Sequence, residues 1–217
     1  MQPSQYIFPA LAAVFLFVMT GCSSVYYSAM EKAGVHKRDI MVDRVEEARD
    51  SQQDAQEQFA SALEQFDAVI GVKETDLKKA YEKFNASYED SVAAAEDVST
   101  RIDKVEDVAG ALFDEWRAEL ELYENKELRR TSMAQLRKTE ARYTEMLKSM
   151  HQAEKSMAPV LRIFRDNVLF LKHNLNAQAI GSLQGEFSYL QGEIDTLISR
   201  MNVAIESSNA FIAEIKR

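Results

Sequence analysis

LKKAYEKFNASYEDSVAAAEDVSTRIDKVEDVAGALFDEW, residues 77–116, carries Leu77, Tyr81, Phe84, Tyr88, Ser91, Ala95, Val98, Ile102, Val105, Ala109, Leu112 and Trp116 at alternating steps of four and three. That spacing draws one apolar stripe down a long helix, the seam of a coiled coil, with Ser91 its single polar interruption. Upstream, Met41, Val45, Ala48, Gln52, Ala55, Phe59, Ala62, Phe66 and Val69 keep the same rhythm. Gly71 then breaks the helix, and Thr75 or Asp76 can cap the next one. Residues 38–70 and 76–124 as straight helices would span about 50 and 74 Å, so the spacing predicts a rod.

Downstream of Trp116 the steps become four, four, three through Leu120 and Tyr123. Such a stutter unwinds a supercoil locally and predicts that the seam changes partner near Trp116. Residues 125–131 allow two readings: the helix runs on to about Met157, or a new one starts at Ser132, where Ser132-Met133-Ala134-Gln135 resembles a capping box. Either way a register follows through Leu136, Tyr143, Met146, Met150, Ala153 and Met157, and Pro159 is expected to end or kink the helix. Residues 160–183 are apolar on more than one face, which predicts a central element or, alternatively, a self-association surface. The last seam, Leu183 to Ile215, is again strictly heptad-spaced. Beyond residue 22 there is one Pro and there are six Gly, too little punctuation for strands and tight turns. The expected class is all-α, an elongated antiparallel helical bundle or coiled coil of three to five long helices.

The amino terminus reads differently. An apolar run from Ile7 to Val18 is short of the roughly 20 residues that cross a bilayer, and it precedes Met19-Thr20-Gly21-Cys22, which contains the only cysteine. This resembles a bacterial lipoprotein signal: cleavage between Gly21 and Cys22, a diacylglyceryl group on the thiol, and palmitate-type acyl chains as the anchor. The expected organisation is a signal peptide over 1–21, a lipidated cysteine and tether over 22–36, and a helical bundle over 37–217. Ser23 after the cysteine points to the outer membrane rather than the inner.

Charge is uneven. Between Lys37 and Glu124 acidic residues outnumber basic ones 24 to 11, whereas Lys126 to Lys172 holds 11 basic and 5 acidic residues. Two readings follow: a basic helix packed against an acidic one, or Arg129, Arg130, Arg137, Lys138, Arg142, Lys148 and Lys155 directed at anionic lipid or an envelope polymer. In the final helix Gly181, Gly185 and Gly192 share one side. Because Gly costs about 1 kcal/mol relative to Ala there, they suggest close approach of another helix, or else tolerated surface positions after a turn.

Candidate chemistry is sparse. His36, His151 and His173 form no i, i+4 ligand pair, so no metal is expected; His173 sits in an apolar setting and reads as structural. There is no phosphate-binding Gly-rich loop and no nucleophile turn. A net charge of −9 argues against nucleic acid. No cofactor and no enzymatic activity are expected.

Tyr26-Tyr27-Ser28-Ala29-Met30-Glu31-Lys32 leading into Val35-His36-Lys37-Arg38-Asp39-Ile40-Met41-Val42-Asp43-Arg44-Val45, together with residues 159–177 (PVLRIFRDNVLFLKHNLNA), resembles the bacterial family catalogued as domain of unknown function 2959. The resemblance spans nearly the whole mature chain and implies an exported helical envelope protein, with no active site to transfer. The functional expectation is a membrane-anchored structural or interaction module, partnered by another protein or itself. The alternatives are a lipid-binding or membrane-shaping bundle using residues 126–172, and an accessory subunit of an envelope enzyme or transporter.

Overall fold

The computed structural model describes residues 22–71 and 76–216. The proposed signal peptide and Thr75 therefore lie outside the described residues, in which there are five helices and no strand: α1 (Cys22–Lys32), α2 (Lys37–Gly71), α3 (Leu77–Leu120), α4 (Lys126–His173) and α5 (Ala177–Ile215). Helices α2 to α5 close a ring, each packed against the next and α5 against α2. Cross-helix pairs fix the directions. Glu47 with Arg101 and Gln58 with the Ser87 carbonyl run α2 against α3. Arg117 with Glu140 and Ser99 with Glu154 run α3 against α4. Gln56 with Asn202 and Arg49 with Asn209 run α5 against α2. The result is an up-down-up-down four-helix bundle about 72 Å long at α4, a rod as the spacing predicts.

The heptad seams meet at its axis. On α2 every seam residue from Met41 to Val69 is buried, Gln52 included, and on α5 all but the partly covered Phe187 are buried from Leu183 to Ile215. Toward the α2–α3 and α4–α5 turns, Phe59 and Phe66 of α2, Phe84 of α3, Phe164 of α4 and Phe187 of α5 form one aromatic cluster with centroids 5.1–6.3 Å apart. Near the other end Phe113, Tyr143 and Phe211 join α3, α4 and α5. The stutter shows there as well: Phe113 and Leu120 are buried, while Trp116 turns toward the start of α4.

Several expectations are corrected. α3 stops at Leu120, and α4 begins at Lys126, not Ser132, because Asn125 caps it: its Oδ1 accepts from the N–H groups of Glu127 (2.9 Å) and Leu128 (3.2 Å). Ser132 is mid-helix and accepts the Trp116 indole N–H at 2.9 Å. Asp76 stands at the N-cap of α3 without a side-chain cap bond. Pro159 does not end its helix; α4 continues fourteen residues to His173. Nor is residues 160–183 a central element. Its inward face, Val160, Phe164, Val168 and Leu171, continues the α4 seam, while Leu169, Phe170 and Leu175 are exposed. A ring of four helices closed on its own seams has no central position to fill. His173 is exposed, not structural.

Candidate functional site

Cys22 opens α1, so the segment read as a tether is largely helical. α1 ends in a Schellman turn: Gly34 has φ +84°, its N–H reaches the Glu31 carbonyl, and the Val35 N–H reaches Met30. The turn folds α1 back along α2 and α3. Tyr27 is buried and donates to Asp107 Oδ2 at 2.6 Å; burial, then that carboxylate, push its phenol well above the usual range. Lys37 bridges Glu31 (2.9 Å) and Glu115 (2.8 Å), tying α1, α2 and α3 together. Burial opposes the Lys37 charge, but the two carboxylates outweigh it and hold the ammonium above its usual range. Glu31 is drawn down by the Lys37 hydrogen bond, and Glu115 is pushed up by burial. Because Glu31 sits beside the first residue of α2, Cys22 lies roughly 14 Å back along the flank of the rod.

At this end the bundle mouth forms an open cleft of about 820 Å³. Its floor is Leu112, Trp116 and Ile215 and its rim is charged. Lys138 (2.6 Å) and Arg142 (3.5 Å) hold Glu214, and Arg38 donates to the Ile215 carbonyl at the end of α5. These bonds tie α4 and α2 to the end of α5 around the mouth. Sequence reading missed it because its members come from four helices, none in a shared motif.

The basic residues of α4 divide into two sets. Arg129 pairs with Glu121 (2.5 Å), and Lys138 and Arg142 turn to Glu214, so these three serve as flanks of a basic helix packed against acidic neighbours. Arg130, Arg137, Lys148 and Lys155 are exposed on the opposite side from the buried seam, in line with Lys126 and Arg162. Of this set, Arg130 pairs with the exposed Glu127 at 3.0 Å and Lys155 acts on the carboxylate of its neighbour Glu154. The signal for the crest was present in the spacing of these six cations, steps of four, seven and eleven residues; grouping every cation of the segment together hid it.

The glycine expectation is corrected in part. A Cβ at Gly181, Gly185 or Gly192 would meet nothing within 4 Å, so no helix of this chain approaches them closely, and the turn lies before Ala177 rather than at Gly181. His151, weighed in the sequence only as a metal ligand, is held by Glu154 (2.9 Å) and Glu106 (3.0 Å), with Ser99 donating to Glu154 at 2.6 Å. Burial opposes its charge, yet the two carboxylates outweigh this and raise its pKa. No group of three or more His, Cys, Asp or Glu side chains among the described residues could hold a metal ion. No described helix is long and apolar enough to cross a membrane.

Neither the curated proteins nor the solved structures contain a match to this chain. The model of a family described as a protein of unknown function, DUF2959, matches residues 26–215. That span takes in α1 from Tyr26 onward, the whole ring of four helices and both segments that carry the resemblance, and on it the chain belongs to the DUF2959 family.

Proposed function

We propose that this protein is a cell-envelope lipoprotein, anchored through acyl chains on Cys22 in a membrane facing the periplasm, and that it acts by placement rather than catalysis. The observation that carries the reading is Met19-Thr20-Gly21-Cys22 directly behind a 12-residue apolar run. The bundle supports a scaffold role: its seams are consumed internally and its charges tie helix to helix, as in Lys37 with Glu31 and Glu115. What it offers a partner is its outer surface, not an open coiled-coil seam.

Metabolic labelling with palmitate, followed by separation of inner and outer membranes, tests the reading. Label on the wild type, none on Cys22→Ser, and recovery with the outer membrane are expected. Equal membrane partitioning of both proteins, with no label on either, would overturn it.

A further inference from the structure

We propose that the outward crest of α4 is a docking surface for an anionic phospholipid bilayer. The crest consists of Lys126, Arg130, Arg137, Lys148, Lys155 and Arg162, all exposed. At 100° per residue they fall within about 40° of one another and opposite the buried seam of Met146, Met150, Met157 and Phe164. Only Thr144 interrupts the line before Asp166, its first carboxylate. From Lys126 to Arg162 the row is about 54 Å long. In a chain of net charge −9 such a row is a local inversion of sign, and among the described residues only Arg130, with Glu127, and Lys155, beside Glu154, have an acidic partner.

Three features favour a bilayer over a soluble polyanion. The row lies on one side of one continuous helix, so its charges face the same way and can meet a surface together. It ends beside Leu169 and Phe170, exposed at 51% and 38%, side chains that enter the boundary between headgroups and acyl chains and gain nothing from a hydrophilic polymer. Helix α2, with nine acidic and four basic residues, lies diagonally across the ring from α4, so an anionic surface repels that side and orients the rod with α4 toward it.

The proposal does not require lipid on Cys22, so its failure and that of the lipoprotein reading are separable. The test is co-sedimentation of the Cys22→Ser chain with vesicles of phosphatidylcholine alone or with 30% phosphatidylglycerol. Expected are tighter binding to the anionic vesicles and loss of that preference as salt rises. Each crest cation removed should weaken it about fivefold. The triple variant Arg137→Ala, Lys148→Ala, Lys155→Ala should thus lose about a hundredfold, while Lys78→Ala, Lys79→Ala, Lys83→Ala on α3 should bind as the parent does. Binding indifferent to phosphatidylglycerol, or equal losses in the two triples, would overturn the proposal. So would retention by purified peptidoglycan without retention by anionic vesicles.

Discussion

Replacing Gln52 with Met should make this protein more stable. Gln52 is fully buried on the α2 seam between Ala48 and Ala55, and neither its amide oxygen nor its amide nitrogen has a hydrogen-bond partner. The other buried polar seam residues are satisfied locally: Ser91 bonds the Ser87 carbonyl and Ser208 the Ala204 carbonyl. Leaving an amide buried without partners costs about 1–3 kcal/mol. Met has nearly the same length and flexibility, so the substitution removes that penalty with little change in packing. At a urea slope of about 2 kcal/mol/M the midpoint should rise by about 0.5–1.5 M with the slope unchanged. Gln52→Ala is the opposite control, since it removes the amide but leaves a cavity, and its midpoint should fall below that of Met. A Gln52→Met midpoint equal to or below the wild type would refute the reasoning, because it would show the amide to be satisfied in the folded protein.

Other perturbations test the remaining joints. Phe66→Ala opens the aromatic cluster that touches both Phe84 and Phe187 and should cost about 3–5 kcal/mol, read by thermal or urea unfolding. Gly185→Ala and Gly192→Ala meet only open space; each should add up to about 1 kcal/mol, and a loss would reveal a contact absent from the monomer. His151 is held above its unfolded pKa of about 6.5 by Glu154 and Glu106 against the opposing effect of burial. Its contribution is therefore fully present below that value and lost as pH rises through the higher folded one. Unfolding midpoints between pH 5 and 9 should show a decline in the wild type that is reduced in His151→Gln.

Periodicity made the ring of four legible. Four-three spacing records which face each helix buries, and at Met41 to Val69 and Leu183 to Ile215 the buried faces follow it nearly residue for residue. Ends were harder. Ser132 has the composition of a cap, but Asn125 is the cap, because a local hydrogen bond wins only where the chain must reverse for tertiary reasons. The apolar excess of 160–183 misled because hydrophobicity alone cannot say whether a residue meets a neighbour or water, and Leu169 meets water. The same limit applies to charge. Arg129 and Arg137 look alike in sequence, and only the ring tells that Arg129 has Glu121 beside it while Arg137 stands on the outer crest. The cleft at the mouth was invisible because Arg38, Trp116, Lys138 and Glu214 are brought together only by closure of four helices.

The central claim is that one chain consumes its own heptad seams in a closed bundle and leaves none for a second copy. Small-angle X-ray scattering with light scattering on the Cys22→Ser protein tests it most directly. The account predicts the mass of a single chain and a rod whose helical body is about 72 Å long, as α4 requires. A two-chain mass with a length near twice that value would mean that the seams pair between molecules, and would contradict it.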